Sequence, residues 1–87
     1  MPDPAVYRPV FSELAANAIV ALPRRKARRA LDLCQRLARN PILVADYVLR
    51  DADGHAIEHL LAEGFIVAYW IDHAVKTVLI VEIDAAD

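Results

Sequence analysis

The sequence predicts an α+β fold, with a helical hairpin packed on one face of a mostly antiparallel sheet of four to five strands, in the order β-α-α-β-β-β-β. Three observations predict it. The stretch Phe65 to Asp84 is almost entirely β-branched and aromatic on both sides of a break at Asp72-His73, so it reads as two adjacent strands at the centre of a sheet. Between Glu13 and Arg39 apolar residues recur at helical spacing, and Pro23 cuts the run once. Before the central pair, two shorter strand-like runs flank the turn Asp51-Ala52-Asp53-Gly54. Helices with one apolar stripe need a surface to bury against, and the sheet supplies it.

In chain order, Pro2 and Pro4 keep the first residues extended and loose, and Val6 to Phe11 reads as a short strand. Pro9 has no N–H for a ladder, so this strand belongs at an edge or with its Pro9 side outward. Ser12 suits the N-cap of a helix from Glu13 to Leu22, with Ala15, Ala18, Ile19 and Leu22 on its apolar face. Pro23 ends that helix and suits the first turn of the next. There, Ala27, Ala30, Leu31, Cys34, Leu37 and Ala38 make the buried stripe, while Arg25, Arg28, Arg29, Asp32, Arg36 and Arg39 take the other faces. Asn40-Pro41 closes it. The segment Ile42 to Arg50 holds the first strand of a meander, centred on Tyr47 to Arg50, and Ala56 to Ala62 is the second. In the latter Ile57, His59 and Leu61 share one face, opposite Glu58 and Leu60. Glu63-Gly64 and Asp72-His73-Ala74 are the remaining turns, and Ala85 to Asp87 is a frayed end.

The length of 87 residues fits one domain, 1–87, with a single small core. Formal charge is −2, but seven of the ten Lys and Arg residues lie between Arg24 and Arg39, while acids dominate after residue 45, so the molecule has a basic and an acidic end. The net charge argues against a generic nucleic-acid coat. Cys34 is the only cysteine, which excludes an internal disulfide and fits a core residue of an intracellular protein. No apolar run approaches the roughly 20 residues of a membrane helix, and the start lacks a signal-peptide pattern, so no membrane association and a cytoplasmic location are expected.

The chain carries Tyr-x-x-x-Phe-Ser from Tyr7 to Ser12, Leu22-Pro23, Leu-Ala-x-Asn-Pro from Leu37 to Pro41, Asp46-Tyr47, Asp53-Gly54 and Glu58. Tyr-Trp-x-Asp follows from Tyr69 to Asp72, then Val75-Lys76-x-Val78 and Ile80-x-x-Ile83. In this order and spacing the chain resembles the RelE/ParE superfamily of bacterial toxins from type II toxin–antitoxin systems. The resemblance implies a growth-inhibiting toxin, associated with plasmid stabilisation and neutralised by a cognate antitoxin, in a heterotetramer with it or as a homodimer. It implies one of two targets, messenger RNA in the ribosome or DNA gyrase, and no cofactor.

Fold alone does not choose between the targets. Cleavage of RNA needs a group to take the 2′-hydroxyl proton, cations to stabilise the phosphorane and an acid for the leaving oxygen. In the ribosome-dependent toxins basic residues on the sheet, and often a Tyr or His near the C-terminus, fill these roles. Here Ile66 follows Phe65 where an arginine is usual, and no Lys, Arg, His or Tyr follows Lys76. These departures favour a gyrase-directed or attenuated toxin over a messenger RNA nuclease and leave open whether the chain is an enzyme. The catalytic candidates that remain are His59 as base, with Arg50 and Lys76 as phosphate clamps. Against them stands a plainer reading, in which His59 is a half-buried sheet residue and Lys76 guards a strand edge.

A metal site is not expected, because His55 and His59 on a strand are separated by roughly 13 Å, far beyond the spacing of zinc ligands. Arg24, Arg25, Lys26, Arg28 and Arg29 form the densest charge and are the candidate contact for nucleic acid or an acidic partner, against the plainer reading of a solvated helix face. Of Tyr69 and Trp70, one should pack under the helices and the other lie on the open face. The competing functional reading is a non-catalytic, toxin-like interaction or regulatory module.

Overall fold

The alternating and helical patterns resolve into strands β1 (Arg8–Phe11), β2 (Tyr47–Arg50), β3 (Ala56–Ala62), β4 (Phe65–Asp72) and β5 (Thr77–Ala85), with helices α1 (Glu13–Val20) and α2 (Arg24–Arg39) between the first two. The structure is a computed structural model and describes residues 7–40 and 45–86. The expected loose start, the beginning of the first strand at Val6, Pro41, the segment from Ile42 and the end at Asp87 lie outside the described residues. The five strands form one sheet in the order β1-β5-β4-β3-β2. Every neighbour pair is antiparallel except β1 with β5. The apolar stretch thus holds the middle of the sheet, with β4 at its exact centre by count of neighbours.

Ser12 starts α1 as expected. Its hydroxyl accepts the N–H of Ala15 at 3.0 Å and donates to the carbonyl of Val81 at 2.6 Å, tying the helix start to β5. That contact falls where β4 and β5 slip register between Ala68 and Tyr69, so Val81 is the extra residue of a bulge. The helix stops at Val20, two residues short of the expected end, because Leu22 closes a tighter turn onto Ile19. Pro23 stands as the N-cap of α2 rather than inside its first turn; its ψ of 151° is extended.

The buried stripe of α2 is Ala30, Leu33, Cys34, Leu37 and Ala38. Leu31, expected in that stripe, is 38% exposed, whereas Leu33 is buried. At 3.6 residues per turn the two leucines point about 160° apart, so one face cannot hold both. Both helices lie over the β1–β5 side of the sheet. Their apolar stripes enclose a core with Phe65, Val67 and Tyr69 of β4 and Val78, Ile80 and Ile83 of β5. Burial pushes the Cys34 thiol up to about 12, which leaves it neutral.

One turn and the end of the last strand differ from expectation. The β4–β5 connection spans residues 73–76, so Lys76 closes the turn with a φ of 53° instead of opening a strand. β5 runs on to Ala85, whose partner is Phe65, and the end is therefore paired rather than frayed at that residue. Among the described residues no helix is long and apolar enough to cross a membrane.

Candidate functional site

The pleat assigns each strand residue to a face. Tyr69 lies under the helices and is fully buried, and Trp70, its neighbour, lies half-buried on the open face. Registers carry that open face across the sheet: Val10 and Leu79 align with Trp70, Ile66 with Leu61, and Ala68 with His59, which in turn faces Tyr47. Two ring pairs cap it. His59 stacks on Tyr47 with centroids 4.6 Å apart, and His55 stacks on Trp70 at 5.1 Å. Between them Ile57 and Ala68 are buried although no helix covers that face.

The open face is poor in cations. β4 and β5 bring Asp72, Glu82 and Asp84 to it, and Arg8 at the far edge is the arginine aligned with it. Arg50 belongs to the other face of β2, since it alternates with Tyr47 and Leu49; its guanidinium donates to the carbonyl of Gly54 at 2.8 Å. His59 has Nδ1 3.1 Å from the carbonyl of Ile57. Lys76 lies in the β4–β5 turn, with β3 and β4 between β5 and the strand that carries Arg50. The three catalytic candidates therefore occupy two faces of the sheet and a turn.

At the same end of the sheet Asp51 organises the β2–β3 turn. Its carboxylate accepts the N–H groups of Asp53 and His55 at 2.9 and 2.8 Å and lies 3.2 Å from the His55 ring. The His55 N–H, above all, holds this carboxyl below the usual range. Potential ligand atoms of Asp51, Asp53 and His55 come within 4.8 Å of one another, an exposed grouping that spacing of the histidines alone did not suggest. On the neighbouring turn, the Tyr7 hydroxyl lies 2.8 Å from Nδ1 of His73.

The basic residues do assemble. Arg24, Arg25, Lys26, Arg28 and Arg29 all lie exposed on the N-terminal half of α2. Arg25, Arg28, Arg29, Arg36 and Arg39 line a shallow groove of about 510 Å³ beside Asp32. Among the described residues the ion pair made from this helix is Arg36 with Glu63, at 3.4 Å. The first turn of α2 contains no acid, so its cations stand at the positive end of the helix dipole, where negative charge is favoured. That arrangement opposes helix stability and suits a phosphate or carboxylate partner.

Whole-chain comparison gives the fold a relative. A chain of the toxin–antitoxin complex RelBE2 from Mycobacterium tuberculosis superposes with a TM-score of 0.76 at 24% identity, over 91% of this chain and 96% of that one. The fold is RelE-like. A chain of the archaeal RelE–RelB complex from Pyrococcus horikoshii matches with a TM-score of 0.71 at 18% identity, over 93% of this chain and 96% of that one. No family model and no curated protein matches the chain. Within the RelE-like fold, Ile66 and the acidic Glu82 and Asp84 occupy adjoining positions of β4 and β5 on the open face.

Proposed function

We propose that this chain is the toxin of a type II toxin–antitoxin module, held inactive by a cognate antitoxin. The observation that carries this reading is the RelE-like fold over more than nine-tenths of the chain, joined to the motif pattern from Tyr7 to Ile83. Within it, a gyrase-directed or attenuated toxin is favoured over a ribosome-dependent messenger RNA nuclease. A nuclease has to stabilise a dianionic phosphorane, and here the open face offers Asp72, Glu82 and Asp84 where cations are needed. Of the candidate cations, Arg50 belongs to the other face of β2 and is bonded to the Gly54 carbonyl, while Lys76 lies in the β4–β5 turn, which argues against a shared grip on one phosphate.

The target is tested with purified chain in two assays run side by side. DNA supercoiling by gyrase is expected to fall as the chain is added, and messenger RNA on programmed ribosomes is expected to stay intact. Specific cleavage of the codon in the ribosomal A site would overturn the preference. A non-catalytic, toxin-like binding module is the second reading, and the exposed basic face of α2 is the observation that favours it. It requires both assays to be unaffected by the chain.

A further inference from the structure

Two grooves run along the exposed side of α2, and Arg28, Asp32 and Gln35 line both of them. These residues succeed one another at spacings of four and three, so they form a single crest along the helix. On one side of the crest lies the charged groove described above. The groove on the other side, of about 690 Å³, is lined differently. Leu22, from the turn between the helices, and Ala27 and Leu31 of α2 border it together with Arg24 and Arg28. Leu22 and Ala27 are half-buried and Leu31 is 38% exposed, which leaves an apolar strip in contact with water. Residues 41–44, outside the described ones, follow the opposite end of this helix.

Arg24 and Arg28 stand beside that strip, one helical turn and roughly 6 Å apart along the axis. Ala27 and Leu31 repeat the same spacing. Among the described residues neither arginine takes part in an ion pair, although Asp32 follows Arg28 at a spacing that suits one. The groove therefore sets two cations alongside an apolar strip of the same length.

We propose that this groove docks an acidic amphipathic helix of a protein partner, with apolar side chains against Leu22, Ala27 and Leu31 and carboxylates on Arg24 and Arg28. A helix repeats its apolar and its charged side chains at the period of α2 itself, so both kinds of contact are made in register. Guanidinium groups also match a carboxylate with two parallel N–H donors. Nucleic acid satisfies only half of this chemistry. Its backbone contacts are made through phosphates, one at every nucleotide, which leave the apolar strip wet and meet Asp32 in the crest with like charge. A peptide varies its charge residue by residue and can present a neutral or donating side chain to Asp32 and Gln35. The inference rests on the reading of a chain held by a protein partner. It is scored by binding of purified components, whereas growth arrest and co-purification score that reading.

Fluorescence anisotropy of labelled probes titrated with the full chain tests it. The first probe is a peptide of about 16 residues, long enough to hold a helix, with Leu at every third and fourth position and Glu one turn apart along the neighbouring flank. It is compared with a peptide of the same composition in scrambled order, and with a single-stranded RNA and a duplex DNA of similar net charge. At one ionic strength the patterned peptide is expected to bind roughly tenfold more tightly than each of the other three, since burying its apolar side chains supplies that difference. Leu31→Gln, a neutral change at an exposed position, is expected to weaken the patterned peptide roughly fivefold or more and to leave any binding of nucleic acid unchanged. Arg24→Glu with Arg28→Glu is expected to abolish binding of this peptide and to restore it to one that carries Lys in place of Glu, a recovery that a misfolded chain cannot give. RNA or DNA bound more tightly than the patterned peptide would overturn the proposal and assign the groove to nucleic acid. A scrambled peptide as tight as the patterned one, no binding up to high micromolar concentration, indifference to Leu31→Gln, or no recovery with the Lys peptide would overturn it equally.

Discussion

Tyr69 is the largest side chain buried in the core, and its hydroxyl has no hydrogen-bond partner among the described residues. Burial, with the charges of Glu58 and Asp46, pushes its pKa up to about 12. A raised value means that the folded state prefers the protonated phenol. The resulting stability is present in full below the ordinary value of 10.0 and is lost as the pH climbs through about 12. An orphan hydroxyl also costs desolvation that its ring does not. Tyr69→Phe is therefore expected to leave stability unchanged or raise it by up to about 1 kcal/mol at neutral pH, and to remove part of the alkaline loss. Urea denaturation at neutral pH and above pH 10.0 measures both; a clear loss at neutral pH would show that the hydroxyl has a partner. That one of Tyr69 and Trp70 is buried and the other on the open face was legible from strand alternation; that the buried one is Tyr69 was not. Nor was the orphaned hydroxyl, because it depends on which groups the paired strands bring around it.

The strands β4 and β5 announce themselves by composition, and α2 by its period, since both are local consequences of side-chain shape and burial. What local pattern does not contain is long-range geometry. The parallel pairing of β1 with β5, the bulge at Val81 and the choice of Leu33 over Leu31 all depend on where the helices settle on the sheet. The arginine cluster illustrates the same division. Its residues were evident as a run and Pro23 marked the helix start beside them, but the groove that Arg25, Arg28 and Arg29 line with Arg36 and Arg39 follows only from the folded helix. Arg25→Glu with Arg28→Glu is expected to raise stability by a few tenths to about 1 kcal/mol, by relieving cation crowding at that end. If this face is the binding surface, the same pair of changes is expected to abolish that binding. Thermal denaturation and a pull-down of the antitoxin or gyrase check the two halves, and lowered stability with intact binding would assign the arginines to the fold.

Across the whole molecule, helices and basic charge lie on one side, while the open face of the sheet is apolar, aromatic and edged with carboxylates. The absence of the expected cations from the Phe65–Asp84 region was visible in the sequence; the separation of Arg50, His59 and Lys76 onto two faces and a turn was visible only once the strands were paired. In the toxin reading proposed above, such a surface would serve binding to a large target and to a partner that covers it. Growth of cells expressing the chain alone, and together with the product of the adjacent reading frame as the candidate antitoxin, is the most direct measurement. The expected result is arrest with the chain alone and recovery when the neighbour is co-expressed and co-purifies with it. Normal growth with the chain alone, at a level where the folded protein accumulates, would contradict the toxin reading.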